Sequence, residues 1–595
     1  MSEENPSRNS NAAPNSDEID PVTAEVVRHA LTAIPDQLDV NITRTAYSPL
    51  IYEYKDYAVG IVDAEGRLVS QCRGGIPLFI TNTLGTAVRD GLKIYGRDGI
   101  KPGDAIVTNY AESQGQHLNN VVLYTPVHDD AGELFGFIAI VVHWVDIGGS
   151  TQGSISNSST EIFQEGLQLH TIKLISEGER VEEVFRIIEH NTRTPEMLFG
   201  DIQAQIAGCM LGREMLADVL SRYGTETVTK AIQRMWERSE TMARRAVEEL
   251  PDGTYSAESF IDGDGVDQDR KIRVAIEVRV QGDTLTVDMS GVEDQLRGPL
   301  NSGFSGGAET AARIAFAYLS VPGEPVNEGV FRPLTVICPK GKFLNARRGA
   351  PMGRYSGPLP TVIDTIIKAL SPACPDRVAA GHYADFSLFR IYGTHPETGS
   401  LFNAFASGWG GWGALAGMDG PGPFKTMAHG DVFEIPAELH EALYPVRVDS
   451  YAVRMDSGGA GEYRGGMGLV KRYSVTSPCN SFVSLDRVTT AAWGIEGGKD
   501  GGTGKVILHR PGKPPRSLVK EWEFKLVPGD YVEVMTGGGG GYGDPSARNP
   551  QRVAEDVLRG YVSSEAAQSV YGVALDEDGK VDSTATEKLR KALSE

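Results

Sequence analysis

Residues 22–46, VTAEVVRHALTAIPDQLDVNITRTA, carry apolar side chains at three- and four-residue intervals, which predicts a helix. Pro21 precedes them at the first-turn position, where a missing N–H is tolerated. The pattern then shortens. YAVGIVDAEGRLVSQ reads as strand, turn and strand about Ala64-Glu65-Gly66, and VVLYTPVHDDAGELFGFIAIVVHW reads as a second hairpin turning at Asp130-Ala131-Gly132. His143 ends the second strand of that hairpin and His117 lies just before the first. Antiparallel pairing therefore predicts both histidines at the same end.

Helical spacing returns from Pro195 to Leu250, interrupted at Gly224, and ELPDGTY marks a candidate boundary. TYSAESFIDGD, KIRVAIEVRVQGD and TLTVDMSG alternate with period two, as strands do. Helices over 309–319 and 361–369 interrupt an otherwise irregular middle rich in Gly and Pro. From 444 to 543 the chain is strand-rich, with turns such as DSGGAGEYRGGMG, and the last fifty residues are helical by pattern.

The expected architecture is mixed α/β and multidomain, because 595 residues exceed what one core organises. Its parts are a disordered tail (1–19), an N-terminal α/β lobe with a helical hairpin (20–250), an α+β middle (251–443), a β-rich domain (444–545) and a helical C-terminal cap (546–595).

Composition narrows the function. Lys plus Arg number 57 against 79 Asp plus Glu, a formal net charge of -22, so a nucleic-acid partner is not expected. The five cysteines show no C-x-x-C pair and read as reduced thiols of a cytoplasmic protein. The first twenty residues lack the apolar segment and basic start of a signal peptide, and the apolar run FGFIAIVV is only strand-sized, so no membrane span is expected.

Two glycine motifs fail as nucleotide sites. Val506 follows Gly504-Lys505 where a P-loop needs Ser or Thr, and Gly537 to Gly541 lack a lysine and read as tight turns. GFSGG at 303–307 matches a nucleophile elbow around Ser305, but the polar DQLRGPLNS before it is no strand. The histidine pair has better company. His117 is followed at three residues by Asn120 and His143 by Asp146, among small and polar neighbours. A carboxylate completes mixed N and O ligation, and Asp56, opening a strand in EYKDYAVG, is the candidate.

DPVTAEVVRHAL, KDYAVGIVDAEGRLVSQ, GQHLNNVVLYTPV, HWVDIGGSTQGSISNSSTEIFQEGL, NTRTPEMLFGDIQAQIAG, the DSGGAGEYRGGMGLVKRY block and GGGGGYGDP occur in one order. In these blocks the chain resembles the hydantoinase B family, which includes the B-like parts of 5-oxoprolinases, caprolactamases and ketone carboxylases. The resemblance implies a hetero-oligomer in which ATP is held by a separate A-type, actin-like ATPase subunit that phosphorylates a small-molecule substrate. The B-type subunit would carry a divalent metal (Zn, Mn or Fe) on Asp56, His117, the fourth residue of H-x-x-D, and His143. That fourth residue is Asn120 here, a neutral amide where the family commonly has Asp. Asp146 is the expected partner orienting His143 or a ligand water, and Glu161, with Glu165 nearby, an available general base. The implied reaction is ATP-dependent opening of a cyclic amide or imide: a hydantoin, a lactam or 5-oxoproline. The alternatives are ketone carboxylation and a scaffold subunit without a working metal.

Overall fold

The computed structural model describes residues 19–594, except 431 and 522, so the expected disordered tail lies outside the described residues apart from Ile19. Helix α1 (Pro21–Thr45) starts where Asp20 accepts the Thr23 N–H at 2.8 Å. It buries Ala24, Val27, Leu31, Leu38 and Ile42 along one stripe. Two hairpins follow: β1 (Tyr57–Asp63) with β2 (Leu68–Gln71), then β4 (Asn120–His128) with β5 (Leu134–His143). Between them lie helix α2 (Thr83–Tyr95) and β3 (Ala105–Thr108). With β6 (Ile172–Ser176) and β7 (Glu179–Arg180) these strands form a seven-stranded sheet in the order β2-β1-β5-β4-β3-β6-β7.

The centre of this sheet is covered on both faces, which is why the run at 135–142 is apolar without alternation. Helix α3 (Pro195–Tyr223) lies between α1 and the sheet. A side chain at Gly208 would meet Ile140 and Ile42, and one at Gly212 would meet Leu38 and Ile138, so glycine sets the depth of this contact. Helix α4 (Thr225–Glu248) completes the helical hairpin that breaks at Gly224.

The second sheet has the order β11-β10-β9-β8, from β8 (Gly253–Asp262), β9 (Lys271–Gln281), β10 (Thr284–Asp288) and β11 (Leu334–Ile337). Its strand β9 alternates buried and exposed residues as its sequence predicts. Helices α5 (Thr310–Ser320) and α6 (Leu359–Leu370) occupy the expected places.

Further on, β12 (Leu388–Thr394), β13 (Leu401–Ser407), β16 (Cys479–Ser484) and β19 (Phe524–Leu526) form a sheet ordered β13-β12-β16-β19. β14 (Val446–Arg454), β15 (Gly468–Val475), β17 (Lys505–His509), β18 (Arg516–Leu518) and β20 (Tyr531–Met535) form another, ordered β14-β15-β20-β17-β18. Three short helices, α7 (Pro550–Leu558), α8 (Ser564–Ser569) and α9 (Ser583–Ser594), form the expected C-terminal cap.

Two expected boundaries are crossed by packing. β12 lies before residue 444 yet pairs with β16 beyond it, with β13 on its other edge. One hydrophobic core runs from Val27 through the middle region to Ile495, so nothing in the core separates residues before 250 from those after it. Pairing partners this far apart in sequence leave no local trace of where one unit ends.

The five consecutive glycines at 537–541 are also not tight turns. All five are buried, and a side chain on any of 538–541 would strike a neighbouring backbone oxygen, of Ser457, Trp412, Trp493 and Ala460 respectively. They are the condition for packing backbone directly on backbone.

Candidate metal centre

Strand register assembles the site. β1 and β4 flank β5, with Tyr57 opposite Val142 and Asn120 opposite His143. The His143 N–H donates to the Asp56 carbonyl at 3.0 Å, extending the β1–β5 pairing by one residue. Asp56, His143 and Asn120 therefore stand in one row across three neighbouring strands. His117 joins from the loop ahead of β4. That loop turns at Gly115 (φ 69°), where a side chain would strike Gly303, whose N–H donates to the Gly115 carbonyl at 3.1 Å. The glycines of GFSGG thus let residues 303–306 lie against the His117 loop, and this close approach accounts for the elbow-like motif.

The four residues line one cavity of about 30 Å³. Its apolar wall comes from Ile76, Leu78, Phe79, Ile155, Phe386 and Phe405, and its remaining polar groups include Arg354, Tyr355 and His429. The His117 and His143 rings meet edge to face at 5.0 Å between centroids. Nε2 of His117 lies 2.8 Å from Oδ1 of Asn120, and Asn120 Nδ2 donates to Gln116 Oε1 at 3.0 Å and to Tyr355 Oη at 2.9 Å. These two acceptors turn the Asn120 amide so that its oxygen faces His117.

Burial governs the charges. It pushes the His117 imidazole down to about 4 and the His143 imidazole well below its usual value, so both rings are neutral and keep a lone pair to donate. Burial raises the Asp56 carboxyl to about 7, against the opposing pull of Lys425. His143 Nδ1 is buried without a hydrogen-bond partner.

Two neutral imidazoles, a carboxylate and an amide oxygen match the donor chemistry of a divalent cation, and an orphaned imidazole nitrogen is the kind of atom a cation would satisfy. The spacing is less complete. Among the described residues no three His, Cys, Asp or Glu side chains are grouped as a bound ion requires, so loading calls for these side chains to draw together.

The other expected residues sit elsewhere. Asp146 is buried, but its oxygens accept from the N–H groups of Gly148, Gly153 and Arg193 and from the Arg193 guanidinium at 2.8 Å. It organises the turn after His143 and does not bond the imidazole. Its cavity is a separate one of about 330 Å³, which shares the Phe405 wall and is also lined by Tyr47, Leu50, Met197 and Phe402. Glu161 is exposed and does not line the metal cavity.

Glu165, four residues on, is buried. It accepts from Ser159 Oγ at 2.6 Å, from the Met352 N–H at 3.0 Å and from the Gly353 N–H at 2.8 Å. It thereby fixes the backbone that carries Arg354 and Tyr355 into the site. Arg354, Tyr355 and His429 are the functional candidates that sequence reasoning missed. They lie more than 230 residues from His117, and only PMGRYSG, a run of small residues around Arg354 and Tyr355, hints at a close approach.

All five cysteines are free and buried, and no helix among the described residues is long and apolar enough to cross a membrane.

The chain is 30% identical over 595 residues to a protein provisionally named as the B component of a D-/L-hydantoinase from Pseudomonas sp. (strain NS671), covering 96% of this chain and 98% of that one. The crystal structure of an ATP-dependent caprolactamase from Pseudomonas jessenii superposes with a TM-score of 0.88 at 28% identity, over 97% of this chain and all (100%) of the other. An acetone carboxylase shares the fold, with a TM-score of 0.87 at 20% identity over 97% of this chain and 83% of that one. The family model described as hydantoinase B/oxoprolinase matches residues 20–545, and the chain belongs to that family.

Proposed function

We propose that this chain is the metal-bearing subunit of an ATP-dependent enzyme that opens a cyclic amide or imide of the hydantoin, lactam or 5-oxoproline type. It acts with a separate A-type subunit of the actin-like ATPase class. The observation that carries this reading is the convergence of Asp56, His117, Asn120 and His143 on one buried cavity. Its support is the full-length likeness to an ATP-dependent caprolactamase.

Asp56, His117, Asn120 and His143 would hold a divalent ion. When bound, such an ion polarises water or a carbonyl oxygen. The protein's own contribution is placement. Gln116 and Tyr355 orient the Asn120 amide, β-sheet register fixes Asp56 beside His143, and the apolar wall keeps bulk water from the reacting group. Neutral imidazoles and the raised Asp56 carboxyl leave the cavity able to accept positive charge.

The test is co-expression with an A-type subunit, followed by metal analysis and by ATP turnover with hydantoins, lactams and 5-oxoproline. Near-stoichiometric metal and ring opening, both lost in His143→Ala, support the proposal. Turnover only with a ketone and bicarbonate would assign the chain to the carboxylases. Turnover unchanged in His143→Ala, with no metal bound, would make the chain a scaffold.

A further inference from the structure

Three buried nitrogen atoms on the wall of the metal cavity lack a hydrogen-bond partner: His143 Nδ1, Arg354 Nε and His429 Nε2. The first belongs to the candidate ligand set. The other two come from segments far apart in sequence and call for a different explanation.

Arg354 is only 3% exposed, and among the described residues its guanidinium has no ion-pair partner. Arg487 also leaves its Nε unbonded, but it and the other fully buried arginines have side-chain hydrogen-bond acceptors. Arg548 is bonded to Asp419 and Asp556, Arg487 to Asp364, and Arg390 donates to Asn403 Oδ1 and to the carbonyls of Gln152 and Ile155. Asp486 and Asp385 act on this guanidinium through space but form no ion pair with it, and a buried guanidinium with an unbonded Nε is costly, so its place on a cavity wall points to an anionic occupant.

The surroundings hold the group in place. Glu165 accepts the backbone N–H groups of Met352 and Gly353, and the Arg354 N–H donates to the Pro299 carbonyl at 2.9 Å. Phe386 carries the Arg354 guanidinium at 5.5 Å from its ring centre and stacks on His429 at 4.1 Å with planes 15° apart. His429 Nδ1 lies 2.8 Å from Thr426 Oγ1. In the tautomer whose Nδ1 accepts from the Thr426 hydroxyl, His429 carries its proton on Nε2 and presents an N–H to the cavity beside Arg354.

We infer that Arg354 and His429 form a subsite for a phosphoryl oxyanion, the group that an ATP-using partner leaves on an activated substrate. The inference rests on the function proposed above. The same chemistry serves a phosphorylated substrate and the inorganic phosphate released from it.

Calorimetric titration of the full chain, freed of metal by chelator, with inorganic phosphate tests the subsite without turnover. One saturable site is expected. It should weaken about 10- to 100-fold in Arg354→Met, as expected for lost hydrogen bonds between charged groups, and less in Arg354→Lys, which keeps charge but not the planar fork. The exposed Arg73→Met should bind as the unaltered chain does, and acetate should not compete. Melting midpoints report folding, and if Arg354→Met does not fold, Arg354→Lys decides alone.

Absent saturation, equal competition by acetate, or wild-type affinity in the folded Arg354 variants would overturn the subsite. A second titration with the A-type subunit and its turnover substrate tells phosphorylated substrate from free phosphate. Phosphate should inhibit turnover competitively if both occupy the subsite, and the absence of inhibition also counts against it. Turnover without an Arg354-dependent phosphate site removes this inference alone. A phosphate site without lactam, hydantoin or oxoproline turnover removes the functional reading instead.

Discussion

Glu165→Gln separates a carboxylate that acts as a fixed hydrogen-bond acceptor from one that acts by charge. Glu165 is 1% exposed, faces no cation, and accepts from Ser159, Met352 and Gly353. Burial lifts its carboxyl from an ordinary 4.5 to about 7, although all three hydrogen bonds favour the ionised form. The folded chain therefore binds more protons than the unfolded chain between pH 4.5 and 7. Its stability is complete below that window, declines as pH rises through it, and is level above.

At about 1.4 kcal/mol per pH unit, the displacement amounts to about 3 kcal/mol. Glutamine carries no such proton, and its Oε1 can keep the three short bonds. Its Nε2 would replace Oε2, which lies 3.1 Å from the Met352 N–H, a pH-independent cost of about 1–2 kcal/mol. Glu165→Gln should thus be slightly less stable than wild type near pH 4.5 and more stable by about 1–2 kcal/mol above pH 7. Urea unfolding across pH 4.5–8.5 measures the difference, and hydrogen exchange over residues 349–357 localises it. A stability difference that does not change with pH would refute the reasoning, because the carboxyl would then not titrate in that window.

Three further outcomes follow from particular contacts. Asn120→Asp should tighten divalent-metal binding at least tenfold in a chelator-competition assay, since a charged oxygen replaces a neutral one; unchanged affinity marks the site as vestigial. The same variant without metal should lose about 2–3 kcal/mol of stability, because Gln116 Oε1 and Tyr355 lose the amide donor and a second buried carboxylate joins Asp56. Arg548→Met should cost about 3–5 kcal/mol and expose residues 550–594 to limited proteolysis first, because the buried guanidinium joins Asp419 to Asp556 of α7. Proteolysis beginning elsewhere would deny it that anchoring role.

The parts of the molecule legible in the sequence are those governed by near neighbours. The period of α1, the turns of both early hairpins, the Gly224 break and the alternation of β9 follow from side chains a few residues apart. Even the placement of His117 and His143 at one end of a hairpin follows from antiparallel pairing. Asp56 entered as a candidate from the start of a strand, and the register of β1 against β5 put it beside His143.

What only the tertiary structure decided is which distant segments close over that end. Asp146 and Glu161 are near His143 in the chain, yet one is consumed by Arg193 and a turn and the other faces solvent. Arg354, Tyr355 and His429 are remote in sequence and line the cavity. Likewise the 537–541 glycines look like turns and are a packing layer, because their role depends on backbones brought from 412, 457 and 493. Local periodicity encodes each element's own geometry, whereas burial, and with it the protonation and pairing of every group in the cavity, is set by segments that meet only when the whole chain has folded.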